Sequence, residues 1–205
     1  VARNFLGKDE FVSPDYEPIF FVKTSNTVCG PNENILNPFP TLPMWGEPEL
    51  AVVIGRTLDN AKTSEIQRSI LGFTVANEVT VENIEGRDHH LARSKCINNF
   101  CPIGPWIDTE FDATDCLIEG LQDGKIVRRG RSSEQILAWP SILEKLSAWM
   151  TLEPWDVVLT GNPPDISGGM TTDSPGMKYL KTGQTYKVRI DGLGEIENTI
   201  VFAAN

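Results

Sequence analysis

Two glutamates stand two positions apart at the entrance of an otherwise apolar segment. Glu47 and Glu49 flank Pro48, and the chain then runs Leu-Ala-Val-Val-Ile up to Gly55. A short apolar run closed by glycine is typical of a buried strand, in which residues i and i+2 point to the same side. Two buried carboxylates facing one point would repel each other unless a divalent cation lay between them. Carboxylate oxygens suit Mg²⁺ or Mn²⁺, so the pair is a candidate metal site; two solvated acids at a strand entrance are the alternative.

A third glutamate ends the next apolar segment of the chain. Glu78 follows directly on residues 72–77, and three further acids, Glu82, Glu85 and Asp88, come after it. Three carboxylates at strand ends can form an octahedral site that water or substrate completes. The alternative for Glu78 is an ordinary acid in a loop or at the start of a helix.

One lysine precedes an apolar segment that is punctuated by prolines. Lys95 lies just before residues 100–106, which read Phe-Cys-Pro-Ile-Gly-Pro-Trp. A partly buried lysine at this place could steady an enolate or donate a proton, whereas a surface lysine is the alternative. The neighbouring pair His89 and His90 has no metal-ligand spacing to another histidine, so both are interpreted as loop residues.

The composition limits the class of protein. With 205 residues, of which 40% are hydrophobic, the chain is expected to form one domain over residues 1–205 with its own core. A net charge of −10 argues against nucleic acid and an anionic membrane as partners. No apolar run reaches about 18 residues, the length that spans a membrane. The first residues lack the layout of a signal peptide, and the four cysteines match no zinc pattern, so reduced thiols and a cytoplasmic location are expected.

The elements that must position these residues are mostly short strands. We expect strands at 49–55, 72–77 and 155–159, hairpins at 115–128 and 185–202, and helices at 63–70 and 132–149, the second interrupted or restarted near Pro140. A loop rich in glycine and proline follows at 161–176. Because strands outnumber helices and do not alternate strictly with them, the pattern favours a mixed α/β, β-rich fold over a doubly wound one.

Six segments, taken in order, resemble those of the fumarylacetoacetate hydrolase superfamily. They are residues 1–5, 18–28, 47–55, 72–80, 95–106 and 152–163, and the resemblance they mark extends over essentially the whole chain. The sequence E-P-E-L-A-V-V-I-G is similar to the metal-binding E-x-E-L-A-V-V-I-G strand of that superfamily, and G-F-T-V-A-N-E-V-T to its G-Y-T-V-A-N-D-V-[ST] strand. The parts around residues 76–104 look most similar to one half of the bifunctional isomerase/decarboxylase of homoprotocatechuate breakdown.

The resemblance implies a fold, a metal site and a substrate class. The expected fold is a β-roll of mixed sheets with few short helices, and a homodimer is the expected assembly. Mg²⁺, or Mn²⁺ or Ca²⁺ in its place, would be held by Glu47, Glu49 and Glu78, the last of which stands where the superfamily normally has aspartate. The substrate would be a small 2-keto or 2-hydroxy-dienoic acid, with Lys95 near its enolate.

The resemblance also implies residues that hold the substrate. The expected substrate-binding residues are Arg3, Arg87, Thr160 and Asn162. Many relatives carry an arginine for the substrate carboxylate where this chain has Glu82, so Arg87 or Arg93 would take its place.

Residues 6–16 are expected to form a mobile lid over the metal. In relatives the lid often supplies a histidine and a glutamate that activate water, but this stretch has no histidine. Lys8, Asp9 or Glu10 would then replace it, and Glu10 is the expected catalytic residue. The missing histidine favours isomerase or decarboxylase chemistry over hydrolysis of an acylpyruvate or fumarylpyruvate. A catalytically lapsed relative that only binds keto acids is the third hypothesis.

Overall fold

A computed structural model describes residues 1–5, 16–166 and 179–204. The strands within these ranges are β1 (Val28–Cys29), β2 (Asn34–Asn37), β3 (Met44–Trp45), β4 (Pro48–Ile54), β5 (Ile70–Asn77), β6 (Thr80–Val81), β7 (Cys101–Asp108), β8 (Leu117–Gln122), β9 (Lys125–Arg131), β10 (Val157–Leu159), β11 (Thr185–Ile190) and β12 (Gly194–Phe202). The α-helices are α1 (Thr63–Ser69), α2 (Ala92–Lys95) and α3 (Trp139–Ser147). Most of the predicted lid and of the predicted loop 161–176 lies outside the described residues.

Two five-stranded sheets form the body of the protein. The first has the order β1-β7-β5-β4-β10, the second has the order β2-β12-β11-β8-β9, and β3 and β6 form a small separate pair. Each large sheet contains one parallel pair, β1 with β7 and β2 with β12, among antiparallel ones. The sheets pack on each other through the central strands, β4, β5 and β7 against β8, β11 and β12. The expected β-rich fold of mixed sheets with few short helices is confirmed.

The strands β4 and β5 lie at the centre of the first sheet and are covered on both faces. All seven residues of β4 are buried, as are the last six of β5, which explains their nearly continuous apolar sequences. Their antiparallel register pairs Pro48 with Asn77 and Glu49 with Ala76. The acids that begin β4 and the acid that follows β5 therefore meet at one end of the sheet.

The helix predicted over residues 132–149 is wrong in its first half, whereas the restart predicted near Pro140 is confirmed. A single 3-10 turn covers Ser132–Glu134, and α3 begins only at Trp139. The chain between them is extended because Asn4 binds it: the backbone N–H of Leu137 donates to Asn4 Oδ1 at 2.9 Å, and Asn4 Nδ2 donates to the Leu137 carbonyl at 2.9 Å. Pro140 lies in the first turn of α3, where its missing N–H leaves no helical hydrogen bond unmade.

The other predicted elements agree with the structure within a few residues. The helix α1, the two hairpins β8–β9 and β11–β12, and the strand β10 form where the sequence places them. All four cysteines are free thiols, as expected. In the described part of the chain no helix has the length and apolar character that crossing a membrane requires. The homodimer stays a prediction.

Candidate metal and active site

Three buried carboxylates meet at the end of the first sheet. Ligand oxygens of Glu47, Glu49 and Glu78 lie within 4.8 Å of one another, and the three residues are 8%, 1% and 0% exposed. The predicted convergence is confirmed, and the longer arm of Glu78 reaches the cluster. In an octahedral site with bonds of about 2.1 Å, neighbouring oxygens are about 3 Å apart and opposite ones about 4.2 Å. Small side-chain shifts would thus suffice for all three carboxylates to hold one divalent cation.

Both oxygens of Glu47 accept hydrogen bonds. Trp45 Nε1 donates to Oε1 at 2.7 Å, while Lys95 Nζ and Asn162 Nδ2 donate to Oε2 at 3.3 Å and 3.2 Å. Burial by itself would raise the pKa of Glu47, but the neighbouring ammonium of Lys95 and the hydrogen bonds outweigh it and lower the pKa to about 2. Glu47 is therefore a carboxylate at neutral pH.

Glu78 is held between two lysines. Lys23 Nζ lies 2.6 Å from Glu78 Oε1, Lys95 Nζ contacts Oε2, and Thr80 Oγ1 lies 3.1 Å from the same Oε2. Burial raises the pKa of Glu78 in spite of the two ammonium groups. Burial alone would lower the pKa of Lys95, but Glu47 and Glu78 raise it above its usual value, so Lys95 keeps its proton.

Glu49 is a second member of the cluster whose pKa is raised. Its Oε2 accepts a hydrogen bond of 2.5 Å from the backbone N–H of Gly161. Burial raises the pKa of Glu49 to about 8, and the charges of Glu78 and Glu47 add to that rise. Without a cation the carboxyl of Glu49 is therefore protonated at neutral pH, and a bound cation would displace the proton.

Two predicted substrate-binding residues, Thr160 and Asn162, lie in the segment that follows β10 and contacts the cluster. The Thr160 hydroxyl donates to the Leu50 carbonyl at 2.9 Å and accepts from Gln135 Nε2 at 2.8 Å, so it braces β4. Asn162 contacts Glu47 directly. Their contacts with substrate stay predictions.

The arginines that were predicted to bind substrate are exposed or contact residues outside the triad. Arg87 is exposed, and its Nη2 lies 2.9 Å from Glu85 Oε2. The guanidinium of Arg93 lies 4.4 Å from the centre of the Phe39 ring. Arg3 is exposed and its carbonyl accepts a hydrogen bond from Tyr16. Glu10 lies outside the described residues, so the catalytic role expected for it stays a prediction, as do the substrate contacts of the arginines.

Sequence reasoning missed a buried arginine beside the cluster. Arg128 of β9 is 3% exposed, and its Nη1 donates to Asn162 Oδ1 at 2.9 Å and to the Pro163 carbonyl at 3.2 Å. A guanidinium can only donate, so it holds the oxygen of the Asn162 amide on its own side. The amide nitrogen is thereby directed at Glu47 Oε2. Arg128 and Gly130 of β9 point inward and Arg129 and Arg131 outward, an alternation that the sequence Arg-Arg-Gly-Arg does not reveal.

Lys23 and Thr80 are also site residues that were not singled out from the sequence. Lys23 ends the apolar run Ile-Phe-Phe-Val and lies in segment 18–28, which resembles the superfamily, but neither signal gave it a role. Thr80 accepts a 2.6 Å hydrogen bond from Lys95 Nζ and lies 3.1 Å from Glu47 Oε1. Its hydroxyl links the lysine with both of the carboxylates that neutralise it.

Tyr186 of β11, in the second sheet, packs against Gly46 just before β4 begins. Its ring is 2% exposed, and its hydroxyl donates to the Gly46 carbonyl at 3.0 Å. A Cβ atom at Gly46 would lie 2.3 Å from the ring. The residue before Glu47 must therefore be glycine for the strand to lie this close to the second sheet.

We expect Gly46→Ala to lower the free energy of unfolding by about 1–3 kcal/mol or more, because the buried ring leaves no room for a methyl group. Gly30→Ala is the matched control, since its Cβ would meet its nearest atom at 3.5 Å, an ordinary contact. Chemical denaturation of both variants measures the difference. Equal stability of the two would mean that Tyr186 can move aside.

The site consists of a buried triad of acids and two lysines at the end of a sheet. It is the kind of site at which an enzyme could bind a divalent cation. The family model described as fumarylacetoacetate (FAA) hydrolase C-terminal matches residues 3–201. The chain belongs to this family.

Known proteins of this fold are similar over most of the chain. Protein Rv2993c of Mycobacterium tuberculosis is 33% identical over 191 residues, which are 92% of this chain and 68% of the relative. The crystal structure of 5-carboxymethyl-2-hydroxymuconate delta-isomerase from Mycobacterium smegmatis has a TM-score of 0.88 at 30% identity, covering 100% of this chain and 78% of that one. A fumarylacetoacetate hydrolase from Exiguobacterium antarcticum has a TM-score of 0.88 at 26% identity, covering 98% and 73%.

Proposed function

We propose that this protein is a Mg²⁺-dependent enzyme that acts on a small 2-keto or 2-hydroxy-dienoic acid, with an isomerase or decarboxylase outcome. The observation that carries the proposal is the buried triad Glu47, Glu49 and Glu78 with the charged Lys95 in contact with two of its members. The name of the Mycobacterium smegmatis isomerase supports the substrate class. Mn²⁺ or Ca²⁺ would fit the same oxygen ligands, because all three are hard cations.

The cation, when bound, would supply a Lewis acid for the negative charge that develops on the substrate. The three glutamates would hold it, and they lie deep enough that little water competes for the site. Lys95 contributes a fixed positive charge, because its carboxylate neighbours keep Nζ protonated. This ammonium can donate a hydrogen bond to an enolate or return a proton to its carbon.

Asn162 has a positioning role in this proposal. Its amide is oriented by Arg128 and donates to Glu47, so it keeps one ligand oxygen in place while Oε1 is held by Trp45. Fixed ligands reduce the reorganisation that accompanies the reaction.

A C–C bond hydrolase for acylpyruvates or fumarylpyruvate is the second candidate. The similarity to the fumarylacetoacetate hydrolase of Exiguobacterium antarcticum favours it. It requires a group that activates water, and Glu10 is the residue proposed for that role. Release of carbon dioxide distinguishes decarboxylation, formation of two acids distinguishes hydrolysis, and conversion without either indicates isomerisation.

A panel of 2-keto acids that includes oxaloacetate and acylpyruvates, assayed with Mg²⁺ and with a chelator, tests the proposal. We expect turnover of at least one compound that depends on Mg²⁺ and is lost in Glu47→Gln. Glu144→Gln, which changes a half-buried side chain on α3 that pairs with Lys62, is the control and should keep full activity. Turnover that persists in the chelator, or no turnover of any compound, would reject the metal-dependent function; the second result would favour a keto-acid-binding protein without activity.

A further inference from the structure

We propose that Lys23 makes cation binding at this site depend on an anionic ligand. In this view Lys23 weakens the affinity of the three carboxylates for a lone divalent cation, and a small carboxylate anion that binds beside the cation restores the lost affinity. The inference rests on the proposed function for the class of anion, and on the described contacts for the role of the lysine.

Lys23 is fixed in place by two contacts. Its Nζ donates to Glu78 Oε1 at 2.6 Å and to the backbone carbonyl of Lys95 at 2.5 Å, and the side chain is only 11% exposed. The carbonyl contact does not involve any carboxylate of the triad. The ammonium group therefore stays beside the site even when Glu78 turns toward a cation.

The charges of the site show what this lysine changes. When all three carboxylates are ionised, the triad and the two ammonium groups that contact it, Lys23 and Lys95, together carry a charge of −1, which a divalent cation converts to +1. Without Lys23 the cluster would carry −2, and the same cation would make it neutral. Lys23 thus contributes one of the positive charges by which the loaded site exceeds neutrality, and a carboxylate anion offsets that excess.

The size of the effect follows from the short distance and the burial. A unit charge within about 4–6 Å changes the proton affinity of a partly buried group by about 10- to 1,000-fold. The interaction of a divalent cation with the same charge is twice as strong. The loss of Lys23 also strengthens proton binding to Glu78, and this proton competes with the cation. We expect the net effect on cation affinity to be about 10- to 100-fold.

Isothermal titration calorimetry at pH 8.5 tests this with two probes, Mn²⁺ alone and oxalate added to the Mn²⁺-saturated protein. Lys23→Met should bind Mn²⁺ about 10- to 100-fold more tightly than the wild type and should then bind oxalate about 10-fold more weakly. The two expected changes in affinity have opposite directions, whereas structural damage would weaken the binding of both Mn²⁺ and oxalate. Lys23→Arg keeps the charge and should keep both wild-type affinities.

Lys62→Met is the control for a charge lost elsewhere, since Lys62 is 73% exposed and pairs with Glu144 on α3. It should change neither affinity. Mn²⁺ binding by Lys23→Met that is equal to or weaker than in the wild type overturns this inference alone. A wild-type protein that binds no Mn²⁺ overturns it together with the proposed function.

Discussion

Lys95→Met should lower the turnover of the 2-keto acid substrate by about 100- to 10,000-fold, the range for loss of a positioned acid–base group. The ammonium of Lys95 is the charged donor that contacts both Glu47 and Glu78, and methionine fills a similar volume without charge or proton. Most of the loss should fall on kcat, because an enolate gains more from the ammonium than the neutral keto group does.

The same substitution should also have an effect on stability that depends on the cation. Without Lys95, two buried carboxylates lose their shared partner, and breaking such a buried pair costs about 3–5 kcal/mol. A divalent cation supplies the missing positive charge, so Mg²⁺ should restore thermal stability without restoring turnover. Unfolding curves with Mg²⁺ and with a chelator measure this.

Lys145→Met is the matched control. Lys145 forms a surface ion pair of 2.9 Å with Glu17, and such pairs contribute about 0–1 kcal/mol. Wild-type turnover in Lys95→Met would remove this lysine from the mechanism. Low turnover together with stability that ignores Mg²⁺ would mean that the lysine and the cation do not share the same carboxylates.

The acids of the site could be found from the sequence because their signal is local. Glu47 and Glu49 have the two-residue spacing of a strand, and Glu78 directly follows a run of buried residues. That the two strands are neighbours is not a local property. It follows from the register of β4 and β5, which only the family resemblance made available before the structure.

Lys95 was found from its place before an apolar segment, but the other two cations of the site, Lys23 and Arg128, could not be found in this way. Lysine and arginine are rarely buried, so their ordinary interpretation is a surface residue. Lys23 is half-buried because Glu78, 55 positions away, neutralises it. Arg128 is buried because Asn162 and Pro163 accept hydrogen bonds from its guanidinium. Conversely, Arg87 lies near the acids in the sequence but forms an exposed pair with Glu85.

The fold shows the same division between local and distant causes. Long apolar strands and the hairpins were predictable from their own residues. The strands β1, β2, β3 and β6 have two to four residues each and exist because a distant strand pairs with them, as β12 does with β2. The extended chain at residues 135–138 likewise depends on hydrogen bonds from Asn4, more than 130 positions earlier.

Cation affinity should fall about 50-fold between pH 8 and pH 6, through competition with a proton on Glu49. Burial raises the pKa of Glu49 to about 8, so below that pH the metal-free protein holds a proton that the cation must displace. Competition with one proton lowers the apparent affinity about tenfold per pH unit. Above pH 8 Glu49 is already ionised, and the affinity should level off. Glu47 adds nothing to this slope, because its pKa is about 2. Burial also raises the pKa of Glu78, so a proton held there would make the slope steeper.

Titration calorimetry with Mn²⁺ at pH 6, 7, 8 and 9 measures the slope directly. At pH 6–7, repeating the titration in buffers with different ionisation enthalpies should show release of about one proton per cation. Glu49→Gln is the informative control, because it removes both a ligand oxygen and the competing proton. The affinity of this variant for Mn²⁺ should be weaker than that of the wild type at pH 8, and it should vary less with pH. An affinity that is constant from pH 6 to pH 8 in the wild type would mean that Glu49 is ionised before the cation arrives. The buried cluster would then hold all three carboxylates charged, and Lys23 and Lys95 would have to neutralise them far more strongly than burial opposes them.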